Sequence, residues 1–161
     1  RRGDRIVLVA VSEPEGRYST KRDFTRATAE GAAPRLTAYS EPGSYEVRYM
    51  AGADGRTFAR APITVTPSKA RVEAPARVPA GAEFEVRWSG PASEGDRLVL
   101  VEASAPDGAY YTGSAHSPST AGGSPLTLRA LPKPGSYEVR YLAQGDGKTL
   151  ARAKLEIVAP D

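Results

Sequence analysis

Hydrophobic and polar side chains alternate along several short stretches of this chain. Tyr45, Val47 and Tyr49 stand two residues apart, and the charged residues Glu46 and Arg48 fall between them. Successive side chains on a β-strand point to opposite faces. The pattern therefore predicts a strand whose three large apolar residues face a core and whose two charged residues face water.

The same period of two recurs along the chain and predicts further half-buried strands. By contrast, residues 6–11 and 98–101 are continuously apolar, which predicts a strand covered on both sides or one at a contact between copies. Gly55 and Gly147 each follow an aspartate between strand patterns, as in hairpin turns that need a positive φ. No stretch carries the apolar spacing of a helix, so no helix beyond a single turn is expected. The other alternating groups are Phe84, Val86 and Trp88; Tyr137, Val139 and Tyr141; Ala61, Ile63 and Val65; and Ala153, Leu155 and Ile157.

The order of these patterns occurs twice, at a spacing of 92 residues. Aligning residues 3–67 with residues 95–159 without a gap gives 31 identities in 65 positions. Solenoid repeats run at about 20–50 residues, so a repeat of this length is a whole domain. The predicted domains are residues 1–67 and residues 68–161, with the boundary near Pro67.

The first copy is predicted to be incomplete at its N-terminal side. It has no counterpart of the strand that carries Phe84, Val86 and Trp88, so its matching core face and one ladder of backbone groups should be exposed. Strands upstream of Arg1 are the simplest source of the missing part. Strand complementation by another chain and closure on the second copy are the alternatives. The strands predicted for the second copy lie near 69–76, 82–89, 97–103, 109–113, 125–131, 136–143 and 148–158, and the first copy is predicted to have the last five.

Two sequence motifs resemble known domain families. Residues 131–140, Leu-Pro-Lys-Pro-Gly-Ser-Tyr-Glu-Val-Arg, resemble the turn and penultimate strand of fibronectin type III and immunoglobulin-like domains. In those domains the tyrosine hydroxyl bonds back to nearby backbone, which implies structural corner roles for Tyr45 and Tyr137. The longer order of motifs, from residues 78–91 through 95–101 to the last strand, resembles the tandem immunoglobulin-like modules that follow the von Willebrand factor A domain in some bacterial envelope proteins.

This resemblance, together with the strand spacing, implies an all-β fold. It consists of two tandem immunoglobulin-like (fibronectin-III-like) β-sandwiches, the first of which lacks its N-terminal strands in this chain. The von Willebrand A domain carries a metal-dependent adhesion site on an Asp-x-Ser-x-Ser loop, and no such pentapeptide occurs here. Cation-dependent adhesion is therefore not expected of these residues.

The two copies differ most in two loops, residues 17–34 and 109–125. Loop tips vary where a scaffold is kept, so a recognition surface is sought there. A sugar, an anionic surface or a protein could bind an exposed aromatic beside a basic residue, although solvated loops and core tyrosines explain the same residues. The formal net charge is +3, and the basic excess lies in the first of these loops. The candidate interaction residues are Arg17, Tyr18, Lys21, Arg22, Arg26, Tyr110 and Tyr111.

The search for catalytic chemistry yields little. The chain has no cysteine and a single histidine, His116, which lies in a loop. Asp54 and Asp146 sit in glycine-containing turns without the series of oxygen ligands that calcium requires. We therefore predict no enzymatic activity, no catalytic residues, no cofactor and no metal site.

The predicted function is that of a rigid two-domain spacer and protein-interaction module in a secreted or envelope-associated bacterial protein. An assembly subunit completed by a neighbouring chain is one alternative. A ligand-binding module for a carbohydrate or an anionic surface is the other. A protein partner is expected, either the upstream segment of the same protein or another chain, with no nucleic acid and no membrane insertion. A periplasmic, cell-surface or secreted location is expected, although no targeting signal occurs in the chain.

Overall fold

The fold is all-β in the part of the chain that the structure describes. The computed structural model describes residues 3–21, 24–28 and 33–161. Apart from one 3₁₀ turn at Thr120–Gly122, every regular element in these ranges is a strand. The strands are β1 (Arg5–Ala10), β2 (Thr25–Ala27), β3 (Gly43–Met50), β4 (Thr57–Val65), β5 (Arg71–Glu73), β6 (Arg77–Pro79), β7 (Glu83–Ser89), β8 (Arg97–Glu102), β9 (Leu126–Arg129), β10 (Gly135–Leu142) and β11 (Thr149–Val158).

The chain divides into two compact units, residues 1–67 (unit 1) and residues 68–161 (unit 2). Unit 2 contains a four-stranded sheet in the order β6-β11-β10-β8 and a three-stranded sheet in the order β5-β7-β9. Side chains from both sheets share one core, which is consistent with a β-sandwich. In β7, Phe84 and Val86 are buried while Glu85 between them is exposed, which confirms the predicted alternation.

In its described residues, unit 1 repeats three strands of the larger sheet and none of the smaller one. Its described residues form a single four-stranded sheet in the order β2-β1-β3-β4. The registers agree between the units: Val47 of β3 lies opposite Leu8 and Ala61, and Val139 of β10 lies opposite the matching residues of β8 and β11. The three strands shared by the two units therefore have the same pairing.

Strand β8 is covered on both faces, as its continuous apolar sequence predicts, whereas β1 is covered on its Val7 and Val9 side and keeps Ile6 half-buried on the other. Leu98 and Leu100 point into the main core of unit 2, whereas Val99 and Val101 pack in a second small cluster on the other face. The polypeptide after β8 folds back along this strand, and Leu100 N–H donates to the carbonyl of His116 at 2.9 Å. Val7, Val9 and Met50 form the corresponding outer cluster in unit 1, with Tyr18 packed against it.

Three predicted strands are wrong. Residues 109–113 form a loop between Gly108 and Gly113, both of which have a positive φ. The backbone of β8 that such a strand could have paired with bonds instead to His116 and Pro118. The first-copy segments that match the predictions at 109–113 and 125–131 also form no strand in their described residues, whereas the short strands β2 and β6 were not predicted.

Two predictions about side-chain exposure are also wrong. Glu46 and Arg48 were expected to face water, yet Arg48 is 2% exposed and Glu46 is half-buried. In unit 2 both counterparts, Glu138 and Arg140, are buried. The reason is that the loop after β1 in unit 1, and the loop after β8 in unit 2, cover this outer face. Conversely, Ala61 and Ile63, expected to be half-buried, are exposed, because no second sheet covers them among the described residues of unit 1.

Candidate functional site

The most unusual surface of the molecule is an apolar sheet face in unit 1, which we call the open face. Ile63 is 41% exposed and Phe58 is 57% exposed, and the Phe58 ring lies 5.9 Å from the ring of Tyr49. The centre of the face is a groove of about 210 Å³. Large apolar side chains in water are ordinary when scattered, but a contiguous group of them marks an interaction site. The open face consists of Ile6, Val47, Tyr49, Phe58, Ala59, Ala61 and Ile63.

The matching face of unit 2 is covered. Leu155, which corresponds to Ile63 at the repeat spacing of 92 residues, is 1% exposed, and Val139 and Tyr141 are fully buried. These side chains pack in one cluster with Phe84, Val86 and other residues of the smaller sheet. The two faces have equivalent residues, so their different exposure comes from the presence of the smaller sheet in unit 2.

The edge of the sheet also differs between the units. In unit 2 the short strand β6 adds in parallel to β11, with Val78 opposite Ile157. Glu156 N–H donates to the carbonyl of Ala76 at 2.9 Å, and Ala80 N–H donates to the carbonyl of Val158 at 2.8 Å. In unit 1 the strand β4 is the last in its sheet in the ranges described. The edge of unit 1 that matches the β6-binding edge therefore has no strand paired with it there.

Unit 1 contains the sequence counterpart of β9, but this segment does not form a strand. Leu128 and Ala130 of unit 2 are 1% and 2% exposed, and they flank the end of β9 beside β7. Their counterparts Leu36 and Ala38 are half-buried and exposed, and they belong to no strand. A strand such as β9 requires a partner for its backbone groups, and the described part of unit 1 supplies none at this place.

A buried arginine joins the strands of unit 2 to the loop that covers them. The Nε of Arg140 donates to a carboxylate oxygen of Glu138 at 2.8 Å. Its two terminal nitrogens donate to the carbonyls of Pro106 (3.1 Å) and Ala103 (3.3 Å). Arg152 of the neighbouring strand bonds to the same Glu138 oxygen at 3.3 Å. The buried charge is thus paired and hydrogen-bonded, as burial of an ion requires.

Unit 1 contains the same arginine network. Arg48 donates to Glu46 at 2.8 Å and to the carbonyls of Glu13 (2.8 Å) and Val11 (3.3 Å). Arg60 bonds to Glu46 at 3.4 Å, as its counterpart does in unit 2. The sequence signal for this network was the identity of these charged residues in both copies, since side chains that only face water have no reason to be the same.

A tyrosine–aspartate pair lies at the start of β1 in unit 1 and of the corresponding strand β8 in unit 2. Tyr49 donates to a carboxylate oxygen of Asp4 at 2.7 Å, and Gly52 N–H donates to the other oxygen at 3.0 Å. These two bonds, the tyrosine bond first, lower the pKa of Asp4. Asp4 belongs to an Arg-Gly-Asp tripeptide, but it is 5% exposed and bonded inside the unit, so its carboxylate is not offered to a receptor.

The corresponding pair in unit 2 is Tyr141 and Asp96. The Tyr141 hydroxyl donates to Asp96 at 2.8 Å and accepts a bond from Ala92 N–H at 2.8 Å. Burial first, and then the hydrogen bond to Asp96, raise the pKa of Tyr141 far above its ordinary value of 10.0. The folded unit therefore holds this proton more tightly than the unfolded chain does.

Tyr141 is expected to make unit 2 sensitive to alkali. Above pH 10 the unfolded chain loses the tyrosine proton while the folded unit keeps it, so the free energy of unfolding falls as pH rises. Urea unfolding followed by the fluorescence of Trp88, the single tryptophan, should show a decline from pH 8 to pH 11 that is smaller in Tyr141→Phe. Equal declines in both proteins would contradict this assignment.

The two corner tyrosines make equivalent bonds. Tyr45 donates to the carbonyl of Glu41 at 2.8 Å, and Tyr137 donates to the carbonyl of Lys133 at 2.8 Å. Each bond reaches back four residues along the chain, as in the corners of immunoglobulin-like domains. Burial, with a smaller contribution from Glu102, raises the pKa of the Tyr137 hydroxyl.

The described basic loop residues differ in their exposure. Arg17 and Lys21 are exposed. Arg26 is half-buried and donates its Nε to the carbonyl of Arg35 at 3.0 Å. Arg22 lies outside the described residues.

Two of the three loop tyrosines stand next to arginines. The Arg5 guanidinium lies 5.6 Å from the ring centre of the half-buried Tyr18. In unit 2, Tyr110 is exposed and has Arg97 at 5.2 Å. Tyr111 is also exposed and has no arginine over its ring among the contacts described. Of these tyrosines, Tyr18 borders a larger concavity.

That concavity is an aromatic cleft in unit 1 with a volume of about 420 Å³. Tyr39, which the sequence did not single out, stacks between Phe24 at 4.0 Å and Tyr45 at 5.1 Å. A carboxylate, a hydroxyl and tyrosine rings in one cleft can bind a small polar ligand that has an apolar side. The cleft is lined by Val9, Ala10, Glu13, Tyr18, Ser19, Tyr39 and Tyr45.

In unit 2 a concavity of about 170 Å³ lies beside Tyr137, and its lining matches that of the cleft only at the positions of Ala10 and Tyr45. There Tyr111 occupies the position of Ser19 in the repeat. The larger side chain stands near enough to Tyr137 to contribute to its raised pKa. The position that Ser19 has in the cleft therefore carries a larger side chain in the second copy.

His116 has a structural environment. Its Nδ1 lies 2.8 Å from the carbonyl of Arg129, and its ring makes an edge contact with Tyr111 at 6.3 Å. Within the described residues, no group of three or more metal-binding side chains comes together. The same residues include no helix that is long and apolar enough to cross a bilayer.

Comparison with known proteins leaves the family open. No family model and no curated protein matches this chain. The interpretation of the site therefore depends on the comparison between the two copies.

Proposed function

We propose that this chain is a non-catalytic structural and protein-interaction segment, built from two immunoglobulin-like β-sandwich units. In this proposal it serves as a rigid spacer in a secreted or envelope-associated bacterial protein. The observation that carries the proposal is that both units contain the same buried hydrogen bonds between their loops and strands. In both units a buried arginine hydrogen-bonds the covering loop to the strands. In both units a tyrosine–aspartate hydrogen bond also holds the start of β1 or of its counterpart β8.

These buried hydrogen bonds favour a rigid module that transmits load over a module whose strands and loops rearrange. A buried ion pair with two extra backbone bonds is costly to break, because one partner would be left unpaired. The connection between the units is also short, since β4 ends at Val65 and β5 begins at Arg71. Few residues are then free to bend, which supports a spacer of limited flexibility.

Sedimentation velocity and NMR relaxation test this function. A spacer is expected to remain monomeric at micromolar concentration, and the amides of its two units should share one rotational correlation time. A concentration-dependent oligomer would favour the assembly-subunit alternative, and two independent correlation times would contradict the rigid spacer. Turnover in a hydrolase screen that disappeared in His116→Ala would contradict the non-catalytic proposal.

The aromatic cleft supports a second candidate, a ligand-binding role for unit 1. Tyr18 and Glu13 line it, and the volume of about 420 Å³ lies within the range of small-molecule sites. Neutral oligosaccharides and acidic glycans, titrated into labelled protein and followed by NMR, are the probes. Binding should shift the signals of cleft residues and disappear in Tyr18→Ala, whereas the matched variant Tyr110→Ala should leave it unchanged. No shift with either class of glycan would reject carbohydrate binding.

A further inference from the structure

We infer that the open face and the edge of β4, which has no partner strand among the described residues, together form the acceptor site for a β-segment with the chemistry of residues 69–90. The inference rests on the proposed two-sandwich organisation and names the partner of its incomplete unit. Unit 2 displays the complete arrangement, because its own residues 69–90 contain β5, β6 and β7. The comparison between the units therefore specifies both the shape and the pairing of the occupant.

The pairing follows from the register in unit 2. There β6 runs parallel to β11, with Arg77 opposite Glu156 and Val78 opposite Ile157. At the repeat spacing, these positions of β11 correspond to Thr64 and Val65. The incoming segment is thus expected to add one short parallel strand at the end of β4, which supplies main-chain bonds.

The chemistry of the occupant follows from what covers the face in unit 2. Phe84 and Val86 alternate with exposed charged residues in β7 and lie in the shared core. Val47, Tyr49, Ala59 and Ala61 of the open face are identical to their counterparts in unit 2, and Ile6 and Ile63 are replaced there by leucine. A strand with apolar residues at every second position therefore finds nearly the same surface on unit 1.

The order of the elements along the chain indicates the source. In unit 2 the covering strand β7 ends at Ser89, and β8 begins only a few residues later at Arg97. The equivalent donor for unit 1 would join the polypeptide immediately ahead of β1. We therefore assign the site to a segment of the same protein that enters there, and a second copy of the chain is the competing occupant.

A chimeric chain tests this assignment. A second copy of residues 68–94 is placed directly ahead of Gly3, so that Glu94 precedes Gly3 as it precedes Gly95 in the natural sequence. If the added segment docks, amide exchange at Val47 and Tyr49 should slow by at least about a hundredfold. Burial of one or two large apolar side chains is sufficient for that factor.

The control is the same chimera with Phe84→Asp and Val86→Asp in the added segment only. It should leave exchange in β3 at the rate of the unmodified chain, while unit 2 stays folded as its own amides report. Equal exchange in both chimeras would overturn the inference.

The unmodified chain distinguishes the competing occupant. Dimerisation that protects the same amides as concentration rises would assign the face to a second copy and overturn the assignment in cis. Failure of the chimera alone would leave the spacer function intact, because that function is judged by the sedimentation and relaxation of the unmodified chain.

Discussion

Leu155→Ala is expected to lower the free energy of unfolding of unit 2 by about 3 kcal/mol. The side chain is 1% exposed and packs between the two sheets, so truncation leaves a cavity. The matched substitution Ile63→Ala in unit 1 should cost less than about 1 kcal/mol, since surface truncations usually have small effects. The two residues occupy the same position of the repeat, so the contrast isolates the contribution of the covering sheet.

Residue-resolved hydrogen exchange measures both effects in the intact chain. The slowest amides of β10 report unit 2, and those of β3 report unit 1. Loss of several kilocalories in Ile63→Ala would mean that the open face is covered in solution. Little loss in Leu155→Ala would mean that the core of unit 2 is not packed as described.

Glu138→Met is the second substitution with a large expected effect. It leaves the buried guanidinium of Arg140 without its carboxylate, and removing one partner of a buried pair costs about 3 kcal/mol or more. The double variant Glu138→Met with Arg140→Met should be less destabilised than the single one, because no uncompensated charge remains. Urea unfolding monitored by Trp88 fluorescence provides the free energies.

The exposed Glu85 of β7 supplies the control for that experiment. Glu85→Met should change the free energy of unfolding by no more than about 0.5 kcal/mol. Equal losses in Glu138→Met and Glu85→Met would show that the arginine network does not stabilise the unit. A double variant that is less stable than Glu138→Met would show that Arg140 contributes through its backbone bonds alone.

The alternation in the sequence predicted the strands that bury one face. Phe84 and Val86 in β7, and Tyr137 and Val139 in β10, lie in the core as their spacing indicates. The positive φ of Gly55 was also predictable, because a hairpin turn at that position requires it. The alternation and the turn conformation depend on residues that are close in sequence, so the local sequence is sufficient to predict them.

The solvent exposure of a strand's apolar side chains could not be predicted from the alternation in that strand's own sequence. The same alternation occurs around Ile63 and Leu155, yet one side chain is exposed and the other is buried. What decides the difference is a sheet formed by residues far away in sequence. Residues 109–113 form no strand for a similar reason. The backbone N–H groups of β8 donate instead to the carbonyls of His116 and Pro118.

The candidate site was anticipated only in part. The incomplete first copy pointed to an exposed core face, whereas Phe58 and the parallel edge of β4 emerged from the three-dimensional comparison. The loop positions Arg17 and Lys21 were chosen for charge, and both are exposed outside the lining of the aromatic cleft. Tyr39 was missed because an isolated aromatic in a loop carries no periodic signal.

Thiol labelling tests the difference between the two faces most directly. The chain contains no cysteine, so Ile63→Cys and Leu155→Cys each introduce a single reporter at the same position of the repeat. The thiol at position 63 should react nearly as fast as in the unfolded chain, and the thiol at position 155 should react at least about a thousandfold more slowly, because a core site must open first. Equal protection of the two thiols would contradict an open face in unit 1.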